Sequence, residues 1–236
     1  MNPSVDQSEQ LSLPLSWNPG FLLILLACIL GGFFGGAIVH QVHPLFAYTD
    51  LPEIDLGASA KLVQQHRDAA FEYRSWNYGA DLAIIGLAFG MTFGAFTGGS
   101  RRLLSIIAGG LAGSLMGAGV GYLGGLYVAK TILLNAEQTL QASMGLQAIV
   151  WGLILSSIVC AVAAANIGTL SAGKYCYAGL VAGFSVAVTQ FVVSSCKFPA
   201  SNPLFLVPEQ STERIYWLAA FPIVSGLVLA FVLRRR

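Results

Sequence analysis

The sequence predicts an all-α integral membrane protein with six transmembrane helices, and three observations lead to this prediction. Of its 236 residues, 56% are hydrophobic and only 10% are charged, and the mean hydropathy is +0.71. Soluble domains carry about 25% charged residues, so a surface this poor in charge requires lipid as its solvent. Apolar stretches of about twenty residues, the length that crosses a bilayer, recur along the chain. Glycine recurs at every fourth position in two neighbouring stretches.

Six apolar stretches define a single transmembrane domain over residues 20–236, preceded by a polar N-terminal tail at residues 1–19. The tail contains no lysine or arginine. It therefore lacks the basic start of a secretory signal, and we expect the first stretch to be retained as a helix. The predicted spans are residues 20–40, 79–98, 103–128, 146–166, 176–196 and 215–233.

The longest connection, at about residues 41–78, is predicted to be an extramembrane loop that contains an amphipathic helix. Residues 58–76 favour helix, with apolar side chains along one face and charged side chains away from it. We expect this helix either to lie on the membrane or to continue into the second span, with a bend at Asn77–Gly79. Trp76 and Tyr78 suit the aromatic belt at the membrane interface.

The glycine repeats predict a glycine-zipper hairpin between the second and third helices. A glycine at every fourth position leaves bare backbone along one ridge of a helix, and in lipid such ridges let two helices approach closely. Folding the chain about residues 99–102 places Gly98 opposite Ser105, Gly94 opposite Gly109, Gly90 opposite Gly113 and Gly86 opposite Gly117. We assign helix packing, rather than a glycine-lined pore, to Gly86, Gly90, Gly94, Gly98, Gly109, Gly113, Gly117, Gly121 and Gly125.

Asp81 and Gln190 form a possible polar site within the spans. Asp81 lies at the start of the second predicted span, where an acidic side chain would cap the helix and complement its dipole. The alternative for Asp81 is an ion or proton site, because ionisable groups inside spans mark transport paths. Gln190 is expected to form hydrogen bonds between helices, as are Thr92, Asn166 and Thr189.

The histidines and cysteines do not predict a metal site, a cofactor or a catalytic centre. His40, His43 and His66 belong to the first loop, but no third ligand has a fixed spacing to them. A serine protease within the membrane needs a histidine base that faces the serine, and the third to sixth spans contain no histidine. Cys176 and Cys196 lie at opposite ends of the fifth span, about 30 Å apart, and we expect no disulfide.

The positions of the basic residues predict that both termini are cytoplasmic. Arg101, Arg102, Lys174 and the arginines at residues 234–236 lie on the side of the termini, in short segments next to the spans. Basic residues on the other side are equally numerous, but three of them are diluted along the first loop among acidic residues. The positive-inside rule then favours this orientation in a bacterial inner membrane.

The function that we expect is non-enzymatic. The chain would be a structural or assembly subunit that packs, within membrane lipid, against copies of itself or against another membrane protein. The first loop would be its exposed partner surface. A net charge of +1 argues against nucleic acid as a partner. The alternative is a small channel or transporter with a path between the glycine-rich helices.

Overall fold

The computed structural model describes residues 19–48, 50–52, 59–133, 140–198 and 205–234, and nearly all of the predicted N-terminal tail lies outside these ranges. The described residues form helices and short connections, without strands. Six of the helices are long and apolar enough to cross a membrane, which confirms the predicted multi-pass fold. The helices are α1 (Phe21–Val42), α2 (Ala60–Thr97), α3 (Arg102–Leu133), α4 (Leu140–Ile167), the single turn α5 (Thr169–Ala172), α6 (Cys176–Lys197) and α7 (Ser211–Arg234).

The six long helices form a closed ring in chain order. Each of α1, α2, α3, α4 and α6 packs on the next long helix, and α7 returns to pack on α1. Such neighbour-to-neighbour packing is expected where connections between helices are short. The segment that follows α1, residues 43–48 and 50–52, lies at one end of the ring, and we call this end the strap end. The opposite end, which carries the turn at Gly99–Arg101, is the turn end.

Aromatic side chains fill the centre of the ring. The ring centroids of Trp151 in α4 and Phe221 in α7 are 4.5 Å apart, and Phe89 in α2 is 5.8 Å from Phe221. Trp217 lies 5.4 Å from Trp151. These four residues, which we call the central aromatic cluster, are at most 3% exposed. Because α2, α4 and α7 are not consecutive in the ring, their side chains can meet only by reaching across its centre.

The predicted amphipathic helix and the second span form one continuous helix, α2, of 38 residues. At 1.5 Å per residue α2 is about 57 Å long, so roughly 27 Å of it projects beyond a 30 Å hydrocarbon layer. This projection is at the strap end. The expected interruption at Asn77–Gly79 does not occur, because these residues are buried against neighbouring segments. Tyr78 is therefore not part of an aromatic belt, whereas Trp76 is exposed.

Helices α2 and α3 are in close backbone contact along their glycine faces. A Cβ atom added at any of the nine assigned glycines would overlap atoms of the facing helix. The predicted register is wrong by one helical turn, since Gly90 lies against Gly109 rather than Gly113. The contacts are Gly86 with Gly113, Gly90 with Gly109, Gly94 with Ser105, Gly117 with Leu82, Gly121 with Tyr78 and Gly125 with Arg74.

The position of the turn explains this shift in register. Helix α2 ends at Thr97, and Gly99 then has a φ angle of +50°, which glycine adopts without steric cost. The chain therefore reverses about two residues earlier than the prediction assumed, and each facing pair moves by one turn. The pair nearest the turn is in contact as predicted, because Ser105 touches both Gly94 and Gly98.

Glycines also bring α1 close to two neighbours. Gly31 and Gly35 lie against α2, while Gly32 lies against Pro222 and Gly36 against Leu218 in α7. An added Cβ would meet backbone atoms of α2 at Gly31 and side-chain atoms of α7 at Gly36. The two overlapping glycine pairs of α1 thus serve two different helices, and this contact closes the ring.

Cys160 and Cys176 form a disulfide, and the prediction of no disulfide is therefore wrong. Helix α4 ends at Ile167, and the chain turns at Gly168, where φ is +86°. The return segment brings the Cα atom of Cys176 to 5.5 Å from that of Cys160. The prediction failed because it compared Cys176 only with Cys196, along one helix, and not across the tight turn between two helices.

Candidate functional site

Asp81 is buried well inside α2 and pairs with His43. The distance between Asp81 Oδ2 and His43 Nδ1 is 2.6 Å, and the two side chains are 0% and 4% exposed. The predicted capping role is wrong, because α2 begins at Ala60 and Asp81 lies far from its first turn. At 1.5 Å per residue, Asp81 is about 24 Å from Thr97. It therefore lies just inside the strap-end boundary of a 30 Å hydrocarbon layer.

His43 follows the last residue of α1 and begins a segment that folds back along α2. We call this segment, residues 43–48 and 50–52, the strap. The side chain of Asn77 accepts a hydrogen bond from the backbone N–H of Phe46 at 2.9 Å and donates one to its carbonyl at 3.0 Å. Further along, the His66 ring lies 2.7 Å from the carbonyl oxygen of Pro52. These contacts with α2, together with the His43–Asp81 pair, hold the strap at both of its ends.

A second group of polar side chains joins α4, α6 and α7 at the strap end. Gln190 accepts a hydrogen bond from the Trp217 indole N–H at 3.1 Å, so it bonds between helices as expected. Gln190 also donates to the carbonyl of Phe205 at 3.2 Å, and Gln147 donates to the same carbonyl at 2.7 Å. Trp217 belongs to the central aromatic cluster, so this polar group contacts the cluster on its strap-end side.

The other polar residues that were expected to bond between helices divide into two kinds. Asn166 in α4 donates to Ser105 Oγ in α3 at 3.0 Å, which agrees with the expectation. Thr92 and Thr189 instead donate to carbonyls one turn back in their own helices, at 2.9 Å each. The expectation is wrong for these two threonines, because a helical threonine can satisfy its hydroxyl locally.

Two charged residues in the first turn of α7 are buried, and the sequence analysis did not single them out. Glu213 accepts a hydrogen bond from Ser194 at 2.8 Å. Arg214 donates to the carbonyls of Pro208 and Glu209 at 2.9 Å each, and it lies within electrostatic range of Asp81. The analysis missed both because it started the sixth span at residue 215. The available signal was an adjacent pair of opposite charges directly before an apolar stretch.

The three histidines contact different parts of the molecule. His43 pairs with Asp81, His66 contacts the strap, and His40 lines a groove between α1 and α7. Among the described residues, no group of three or more histidine, cysteine, aspartate or glutamate side chains is placed to hold a metal ion. The polar side chains at the strap end form hydrogen bonds with one another and with backbone carbonyls. These hydrogen bonds hold the strap and the start of α7 in place.

The fold and this polar layer define a multi-pass membrane protein with a filled six-helix ring and an ordered strap at one end. No family model, curated protein or solved structure matches the chain.

Proposed function

We propose that this protein is a non-enzymatic structural or assembly subunit of a membrane complex. The central aromatic cluster is the observation that carries the proposal. A channel needs an open path, and a transporter commonly binds its substrate near the middle of the membrane between broken helices. In this ring the centre is occupied by Trp151, Phe221 and Phe89, and the buried charges near it lie towards the strap end. A filled centre favours a role in the assembly of a membrane complex over the passage of ions or substrates through the ring.

In this proposal the glycine faces of α2 and α3 act as a glycine-zipper hairpin that makes the subunit rigid. Lipid provides no hydrophobic driving force between helices, so their association depends on van der Waals packing and on close backbone approach. The GxxxG spacing of Gly86, Gly90 and Gly94 supplies such an approach to α3. The contacts of Gly31 and Gly35 with α2 extend it to α1. A rigid framework of this kind can present one surface in a fixed position.

The strap is the proposed partner surface, and the partner is either a second copy of the chain or another membrane protein. Leu45, Phe46 and Tyr48 are exposed on the strap, although the strap itself is anchored to α2. Apolar and aromatic side chains that an ordered segment holds in solvent are typical of protein interfaces.

Polar substitutions on the strap test this function. We expect Leu45→Ser and Tyr48→Ser to release the partner that purifies with the protein in detergent-free membrane particles. Val63→Ser is the matched control, since Val63 is an exposed apolar residue on the projecting part of α2. The measurement is the mass of the extracted particle and its protein content. A chain that is recovered alone in the unmodified form would contradict the proposal.

We further propose that both termini are cytoplasmic, in a bacterial inner membrane. Arg101, Lys174 and Arg234 all lie at the turn end, and the positive-inside rule places that end in the cytoplasm. The Cys160–Cys176 disulfide lies towards the same end, and disulfides persist mainly in oxidising compartments. The two signals disagree, and we favour the rule because it rests on several residues.

Thiol labelling tests the orientation and the disulfide together. Cys196 is exposed at the strap end and Cys28 is fully buried, and both are free thiols. We expect a membrane-impermeant maleimide to label Cys196 in intact cells, and Cys28 to react only after denaturation. Cys160 and Cys176 should react only after reduction, which peptide mass spectrometry detects. If Cys196 reacts only in permeabilised cells, the orientation is reversed.

A further inference from the structure

A groove of about 510 Å³ opens on the outer surface of the ring between α2 and α3. Its floor consists of small residues, among them Gly79, Ala83 and Gly119. Aromatic side chains of Phe46, Trp76 and Tyr122 border the groove, and we call these three the aromatic roof. No residue of the central aromatic cluster lines the groove, so it is separate from the packed core.

The depth of the groove places it in the hydrocarbon layer. At 1.5 Å per residue, Ala83 lies about 21 Å from Thr97 at the turn end, and Gly119 lies about 26 Å from Arg102. Trp76 lies about 31 Å from Thr97, at the boundary of a 30 Å hydrocarbon layer. The floor is thus inside the layer and the aromatic roof is at the headgroup level, where tryptophan and tyrosine are enriched.

The walls of the groove are held in place by contacts of their own. The Trp76 and Tyr122 rings meet edge to face with centroids 5.2 Å apart, and Phe46 lies 6.1 Å from Trp76. Asn77 fixes the backbone of Phe46 through two hydrogen bonds. By contrast, a Cβ atom added at Gly119 would meet nothing within 4 Å. Gly119 is therefore not needed for contact between helices, and its missing side chain leaves the floor open.

We propose that this groove binds one acyl chain of a membrane phospholipid, with the headgroup beside the aromatic roof. Eight residues line the groove, whereas a stable protein interface uses about 20–30 residues on each side. The groove is therefore too small to dock a second copy of the chain. Its lining is almost wholly apolar, and it runs roughly 10 Å from the headgroup level into the hydrocarbon layer, in the direction of an acyl chain. This inference does not depend on the proposed function.

Substitution of Gly119 by leucine tests the inference, because a Cβ atom at this position has open space and the larger side chain would occupy the floor. Gly145→Leu is the matched control, since a Cβ atom added at Gly145 in α4 also meets nothing within 4 Å. Each protein is reconstituted in bilayers of palmitoyl-oleoyl phosphatidylcholine and examined by native mass spectrometry. We expect one phosphatidylcholine to remain bound per chain in the unmodified protein and in Gly145→Leu, and to be lost in Gly119→Leu.

Ala83→Leu is a second variant that fills the floor of the groove, from α2 instead of from α3, and it decides the question if Gly119→Leu does not fold. Equal lipid retention in the unmodified protein and in the groove-filling variants would overturn the inference. Absence of bound phosphatidylcholine from the unmodified protein would also overturn it. A doubled chain mass that Gly119→Leu abolishes would identify the occupant as a second copy and would overturn it as well.

Discussion

Gly90→Leu is expected to prevent stable packing of α2 on α3. A Cβ atom at position 90 would overlap the backbone carbonyl of Gly109, which cannot rotate away as a side chain can. Overpacking in a dense core costs about 1–3 kcal/mol and sometimes more, and backbone overlap belongs at the upper end of this range. We expect the variant to lose most of its folded yield after extraction in mild detergent.

Gly119→Leu is the matched control for Gly90→Leu, because it makes the same change in the same hairpin at a position with open space. The measurement is the fraction of protein that elutes as a single species in size-exclusion chromatography, together with its thermal unfolding temperature. Equal yields from the two variants would show that the backbone contact at Gly90 is not essential to the fold.

Asp81→Ala is expected to destabilise the protein by about 1–3 kcal/mol, the usual cost of leaving a buried hydrogen-bonding group without its partner. The substitution would leave His43 buried without the carboxylate that lies 2.6 Å from its ring. It would also remove the carboxyl group that lies within electrostatic range of Arg214. For a protein of this size, such a loss lowers the unfolding temperature by roughly 2–12 °C.

The control for Asp81→Ala is Asp68→Ala, which lies in the same helix but is exposed and bonds only to Gln64 in the described contacts. Exposed substitutions of this kind change stability by about 0.5 kcal/mol or less. The double variant Asp81→Ala/His43→Ala should lose less stability than the two single variants added together, since the residues are in direct contact. Simple additivity would show that the pair is not coupled.

The sequence predicted those parts of the fold that depend on long, repetitive signals. Six apolar stretches are enough to count the spans, because hydropathy averages over about twenty residues and tolerates errors at the ends. The glycines with this spacing lie where α2 and α3 are in contact. The register did not follow from this spacing, because a repeat of four residues fits equally well after a shift of four. The φ angle of Gly99 at the turn selects among these registers.

The candidate site was harder to predict, because it is assembled from segments that lie far apart in the sequence. Asp81 was assigned to a helix start because the preceding loop was given its own helix, and the join between the two could not be seen in the hydropathy. Its partner His43 is 38 positions away. Glu213 and Arg214 were left outside the sixth predicted span for a different reason, since a window that seeks apolar residues excludes charged ones.

Ion flux across the membrane of reconstituted vesicles is the most direct test of the claim that the protein is an assembly subunit and does not conduct ions. Vesicles that contain the protein should release potassium no faster than protein-free vesicles, because the central aromatic cluster fills the ring. Phe221→Ala, which removes a ring from that cluster, provides a comparison with an enlarged centre. A potassium flux that increases with the amount of unmodified protein, and that Phe221→Ala increases further, would contradict the account and establish a path through the ring.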